Sequence, residues 1–148
     1  MKLDVRKRTD VAKPPANVYR FIATEHGRSH PLWDAWLIDF KQIDEGPVVV
    51  GTPFAYKRKA VGPISQNLEL VVTDMEPDRR FAFRLSGSSR SNITYTLGPA
   101  GAAATVLEFD GRFELPGPQF LGPLMKKSLD RQVADGQRRI KKLVESNG

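Results

Sequence analysis

PLMKKSLDRQVADGQRRIKKLVES, residues 123–146, is the stretch that decides the fold. Met125, Leu129, Val133, Ile140, Leu143 and Val144 recur at helical spacing and make one apolar stripe. The spacing predicts a single uninterrupted amphipathic helix. At 1.5 Å per residue it runs for roughly 33 Å, enough to cross a whole sheet. Gly136 falls in the middle of the stripe, where a large aliphatic side chain would be expected. A long helix with a notch in its buried face predicts a container, not a solid core.

The chain before this helix reads mostly as strands. Residues 2–12 alternate, with Leu3, Val5, Thr9 and Val11 opposite Lys2, Asp4, Arg6, Arg8 and Asp10, the pattern of a half-buried strand. Pro14 and Pro15 stop that strand, and a proline suits the first turn of a helix. Residues 16–24 follow as a short helix with Val18, Phe21 and Ile22 inward, broken by Gly27 and Pro31. A second helical turn is expected across residues 32–37, carrying Trp33 and Trp36.

Strands are then predicted at 38–43, 52–61, 65–75, 80–85, 91–97 and 105–115. Turn residues separate them, among them Glu45-Gly46-Pro47, Gly62-Pro63, Glu76-Pro77-Asp78, Gly87-Ser88-Ser89 and the stretch from Gly98 to Gly101. Tight turns at short spacing imply an α+β protein built on an antiparallel meander. Neither repeats nor low-complexity tracts interrupt the pattern, so residues 1–148 are expected to form one domain.

Composition narrows the function classes. There is no cysteine, which removes disulfides, thiolate nucleophiles and Cys-ligated metals. The first residues lack an apolar signal core, and no run approaches a membrane span, so a cytoplasmic protein is expected. The net charge is +6. Much of it lies on the back of the last helix, at Lys127, Arg131, Arg138 and Lys142, with Asp135 placed to pair with Arg131 and Arg139. A solvated face is the first reading and peripheral contact with an anionic membrane the second. Nucleic acid is not expected, because no recognition motif accompanies the charge.

Taken in order, several segments resemble the START-like, Bet v 1-like superfamily, and within it the bacterial polyketide cyclase/dehydrase-like proteins. Ala12 to Val18 is similar to that family's strand-to-helix junction, and Trp33 stands where members carry a tryptophan after the first helix. Gly46 to Thr52 resembles the turn into the third strand, Met75 to Phe81 a later hairpin, and Arg138 to Glu145 the basic close of the last helix. The resemblance implies a helix-grip fold, a seven-stranded antiparallel sheet around the C-terminal helix with a cavity between them. It also implies an apolar guest such as a lipid, sterol or polyketide, in a carrier or in an aromatase/cyclase.

On that fold Tyr56, Phe83, Tyr95, Phe109, Phe113, Met125, Leu129 and Val133 are expected to face the cavity, with Trp33 at its entrance. Gly111 and Gly136 remove side chains where filling would be natural. Arg58, inward with Tyr56, is a candidate anchor for a carboxylate or phosphate, or reaches water along its stem. His26 and His30 are four apart, but Gly27 and Pro31 argue against an intact helix there. Loop histidines are expected, with a general base at the cavity mouth as the sharper alternative. Neither a metal nor a cofactor is expected, and no nucleophile elbow or phosphate loop occurs. Catalytic residues are therefore unassigned.

Three functions stay open. The first is a binder, carrier or sensor of a hydrophobic or amphipathic small molecule. The second is a cyclase or dehydrase acting by proton transfer and substrate shaping, with Tyr56, Tyr95 and Arg58 polarising carbonyls. The third is a protein-interaction module with a vestigial cavity. The assembly is expected to be a monomer or a homodimer.

Overall fold

In the computed structural model, which describes residues 1–59 and 65–147, the alternating segments form seven strands. They are β1 (Lys2–Val11), β2 (Leu37–Gln42), β3 (Pro53–Lys59), β4 (Ser65–Glu76), β5 (Arg80–Gly87), β6 (Arg90–Pro99) and β7 (Thr105–Glu114). Every neighbouring pair is antiparallel, in the order β1-β7-β6-β5-β4-β3-β2. The meander from β2 to β7 thus ends beside β1, which pairs with β7 along its whole length, from Lys2 opposite Glu114 to Val11 opposite Thr105. Register shifts at Leu37/Asp39 in β2 and Val72/Asp74 in β4 add the local twist that curves a sheet. Gly87 closes the β4–β5 pair with φ +121°; a Cβ there would stand 2.4 Å from the Asn67 carbonyl oxygen, so only glycine fits. The turn expected at Gly62-Pro63 lies outside the described residues.

The concave face is apolar because alternation puts one side of every strand inward. Val5, Phe54, Tyr56, Leu70, Phe81, Phe83, Ile93, Tyr95 and Leu107 are all buried. Burial of side chains this large is worth about 1.5–3 kcal/mol each.

Helices cover that face. α1 (Pro15–Tyr19) runs into a wide π turn (Arg20–Thr24), in which Glu25 N–H donates to Arg20 O across 2.8 Å. α2 (His26–Trp33) follows directly. This corrects the sequence reading on two points. The second helix includes Gly27 and Pro31 and stops at Trp33, so Trp36 lies in the turn that follows. Gly27 serves packing: a Cβ would come within 3.0 Å of Gln42 Oε1 and 3.5 Å of the Phe54 ring. Pro31 forfeits one backbone bond near the end of a short helix, and tertiary contacts outweigh that loss.

A single 3-10 turn (Gln119–Leu121) leads into α3 (Gly122–Asn147), 26 residues long and uninterrupted, one residue longer at each end than the periodicity predicts. Its C-terminal half is tied down. Ile140 and Val144 are buried, and Gln137 Nε2 donates to the carbonyls of Lys7 (3.4 Å) and Leu107 (3.2 Å). Lys141 Nζ donates to Asp10 O, and Glu145 accepts from the Ala12 N–H, each at 2.8 Å or less. The N-terminal half instead roofs a space between α3, α2 and the sheet. A curved seven-stranded sheet gripping a long C-terminal helix is the helix-grip architecture. No helix among the described residues is long and apolar enough to cross a membrane.

Candidate ligand-binding site

The space under α3 is a cavity of about 100 Å³. Its apolar walls come from the sheet (Tyr56, Phe83, Tyr95, Phe109 and Phe113) and from α3 (Leu129 and Val133). Of the residues singled out in the sequence, Trp33, Arg58 and Gly136 line it as well, whereas Met125 packs half-buried against the core outside it. Leu115, where β7 leaves the sheet toward α3, closes one side.

Both glycines read as vacancies are filled. A Cβ on Gly136 would lie 3.4 Å and 3.6 Å from atoms of the Trp33 ring, so the notch in α3 seats that indole. A Cβ on Gly111 would come within 2.6 Å of both Phe109 and Phe113, whose rings close over the glycine, nearly parallel at 6.5 Å between centroids. The glycines therefore admit aromatic rings of the protein itself, and the cavity lies between those rings.

The polar wall was largely missed in the sequence. α2 and the residue that ends it present one i,i+4 series, His26, His30 and Asp34, and all three are buried. His26 is fully buried and its ring packs against Phe54 at 5.1 Å and Phe81 at 5.2 Å between centroids. The expectation of loop histidines is thus corrected: both are core residues of a helix. His26 Nδ1 meets Ile22 O at 3.0 Å, His26 Nε2 meets His30 Nδ1 at 3.1 Å, and His30 Nε2 meets Asp34 Oδ2 at 3.2 Å. Each ring nitrogen of the pair is engaged within the protein.

Asp34 is the hub. Besides His30 it accepts from the Trp36 N–H at 3.0 Å and from Arg58 Nε and Nη2, each at 3.3 Å. Arg58 Nη1 also donates to Gln132 Oε1, and Gln132 Nε2 donates to Ser128 Oγ at 3.1 Å. Arg58 therefore clasps three elements, its own strand β3, the end of α2 and the roof helix α3. Its charge is spent on Asp34, which corrects the picture of a free anion anchor.

Burial opposes charge throughout this wall. Desolvation, and then repulsion from His30, lowers His26 far below the ordinary histidine range. Desolvation also lowers His30, with Asp34 opposing and Arg58 assisting. Desolvation pushes Asp34 upward, but the His30 hydrogen bond and the Arg58 charge outweigh it and hold the carboxyl below its usual value. Burial raises Tyr56 and Tyr95, which stay protonated phenols.

At neutral pH the two imidazoles are uncharged and carry one N–H each. Their three contacts would need three protons, so the chain from Ile22 to Asp34 is one proton short of complete. The ring nitrogens of His26 and His30 and both oxygens of Asp34 contact protein atoms. Trp33, also in the wall, keeps its Nε1–H buried without a partner among the described residues. Asp135, which also lines the cavity, is paired with Arg138 and Arg139. The site is thus largely apolar, its charges are paired within the protein, and it supplies donors more readily than bases.

Comparison with known proteins places this geometry. The profile of a family described as "Polyketide cyclase / dehydrase and lipid transport" matches residues 2–145. None of the curated proteins compared matches the sequence. Among solved structures, a START superfamily protein from Mycobacterium smegmatis is similar with a TM-score of 0.78 at 18% identity, covering 98% of this chain and 99% of its own. The Zhui aromatase/cyclase from Streptomyces sp. R1128 gives 0.76 at 14% identity, with 98% and 94% covered. Ara h 8.0201 gives 0.74 at 11% identity, with 99% of each chain covered. At these identities the likeness is one of fold.

Proposed function

The chain belongs to the polyketide cyclase/dehydrase and lipid transport family, and we propose that within it this protein is a binder of an uncharged, largely apolar small molecule, held under α3 as one domain. The observation that carries this reading is the wall of the cavity: aromatic rings enclosing a polar cluster in which Asp34 and Arg58 neutralise each other, while Asp135, also in the lining, is paired with Arg138 and Arg139. A carboxylate guest would have to displace Asp34 from Arg58. A guest carrying a carbonyl meets Tyr56 and Tyr95 as donors.

Binding is favoured over proton-transfer chemistry for a geometric reason. A general base must reach the proton that it takes. Both nitrogens of His30 face protein atoms, and the Asp34 oxygens are filled.

Size sets a second condition. Pockets that enclose small molecules usually measure about 300–1,000 Å³, and this cavity holds about 100 Å³. Admission of a guest therefore requires the roof to lift. The N-terminal half of α3 is the part that can do so: the hydrogen bonds that hold α3 to β1 and β7 begin at Gln137, and before it Arg58–Gln132 ties the roof to β3 and Lys7 of β1 faces Asp130 at 4.0 Å.

The test is displacement of an uncharged apolar dye such as Nile red, in the wild type and in Val133→Trp, which fills the cavity. Saturable binding that Val133→Trp abolishes supports the reading. Binding untouched by Val133→Trp refutes it.

A further inference from the structure

The solvent side of α3 carries a second pattern. Leu124, Lys127, Arg131, Arg138 and Lys142 are all exposed. At 100° per residue they fall within about 60° of one another, one narrow stripe along the helix. Asp135 pairs with Arg138 and Arg139 and not with Arg131. No carboxylate of the described residues pairs with Lys127, Arg131 or Lys142.

At its N-terminal end the stripe turns apolar. Leu124 is 59% exposed, and Phe120, one turn earlier in the 3-10 segment, is 79% exposed. A phenylalanine left this open has no packing role in the chain itself.

We propose that this end of α3 is a docking surface for an anionic lipid bilayer. Phe120 and Leu124 enter the boundary between headgroups and acyl chains. Lys127 and Arg131, one and two turns further on, meet lipid phosphates, and Lys142 extends the attraction along the helix. Charge complementarity identifies the occupant: unpaired cations directly behind an exposed apolar tip match the layering of an anionic membrane, with hydrocarbon beneath negative headgroups. A protein groove would call for a broader apolar face. Duplex nucleic acid would leave Phe120 without a partner.

Placement gives the surface a use. The tip lies in the connection between Leu115, a wall of the cavity, and the roof half of α3. Docking there sets the movable cover of the cavity against the bilayer, where an apolar guest is dissolved. The use rests on the proposed binding function; the docking itself does not.

Flotation of the full chain with ligand-free vesicles tests it, using phosphatidylcholine alone and with a quarter phosphatidylglycerol, at low and at 300 mM salt. The protein is expected to float with the anionic vesicles only, and less at high salt. Phe120→Ser is expected to lower partitioning about tenfold, and Lys127→Glu/Arg131→Glu at least as much. Arg84→Glu/Arg112→Glu, the same charge change on exposed positions of β5 and β7, is expected to leave most of it intact. All of these changes are on the surface, and circular dichroism verifies folding.

Any of three results overturns the proposal: no flotation with anionic vesicles, equal loss from the sheet pair, or insensitivity to Phe120→Ser. Tight binding of a DNA duplex that ignores Phe120→Ser would reassign the stripe to nucleic acid. Because the vesicles carry no guest, none of these results bears on the cavity.

Discussion

Replacing Asp34 by alanine removes the hub of the polar wall, and the structure sets the scale of the loss. Taking one partner from a buried ion pair costs about 3–5 kcal/mol, because the other charge is left desolvated. The Asp34 side chain is 8% exposed, but Arg58 keeps 21% of its side-chain surface in contact with water. The expected cost is therefore at the lower end, about 3 kcal/mol. For a chain of this length that is a fall in Tm of roughly 6–12 °C.

Arg58→Met keeps the aliphatic stem and removes the cation, leaving Asp34 without its positive partner. The double variant removes both charges. If Asp34 and Arg58 neutralise each other as described, the double variant costs less than the sum of the singles by about 2 kcal/mol or more. Urea unfolding at pH 7 measures all four corners of the cycle, and an unchanged m-value shows that the unfolding reaction is the same. Additive costs, or a loss below about 1 kcal/mol in Asp34→Ala, would refute the argument that the wall is a coupled, internally neutralised unit.

Three further outcomes follow from the same geometry. Gln132→Leu removes the bond from Arg58 to the roof; stability is expected to fall by about 1 kcal/mol, while stopped-flow rates of dye entry and release both rise. Gly136→Ala meets the Trp33 ring at an ordinary 3.4 Å and gains helix propensity, so it is expected to be neutral or to stabilise by up to about 1 kcal/mol. Gly136→Leu overfills the notch and costs about 1–3 kcal/mol, as thermal unfolding will report. Stability should also depend on pH with a defined sign. His26 and His30 titrate below the ordinary 6.5 in the folded chain, so the unfolded chain binds protons first. Stability is full above pH 6.5 and declines below it, and Asp34, lowered from 3.8, adds a second loss at more acid pH. In His26→Leu the Tm is lower at pH 7.5, but its decline between pH 6.5 and 5 is shallower; an unchanged slope would show that the acid sensitivity lies elsewhere.

The fold was readable because its two periodicities are clean. The stripe from Met125 to Val144 fixes α3, and period-two alternation fixes the strands, since both report which side of an element meets water. α2 was not readable for the same kind of reason. Gly27 and Pro31 are helix breakers by local preference, and only the approach of Phe54 and Gln42 to Gly27 makes a glycine useful there. Local preference carries no information about such contacts.

Most of the apolar wall followed from facing directions. Met125 did not, because membership of the stripe fixes a side of the helix and not the place where the sheet recedes from it. The glycines misled for a related reason: a missing side chain signals a close approach, and the sequence does not say whether a guest or a ring of the protein makes it. Asp34 and Gln132 were missed outright. The i,i+4 run of His26, His30 and Asp34 was present in the sequence as a signal. Read as a helix face, it would have exposed the buried polar series. Gln132 adjoins Val133 on α3, and nothing in its neighbours marks it as the partner of an arginine 74 residues away.

The central claim, an interior site selective for uncharged guests, is tested most directly by isothermal titration with a matched pair, 2-acetylnaphthalene and 2-naphthoate, at pH 7. The two share a ring and differ in charge. The account predicts saturable binding of the ketone with a negative heat-capacity change, at least tenfold weaker binding of the carboxylate, and recovery of carboxylate binding in Asp34→Ala, where Arg58 is released. Equal affinities for the two compounds, or ketone binding that survives Val133→Trp, would contradict it.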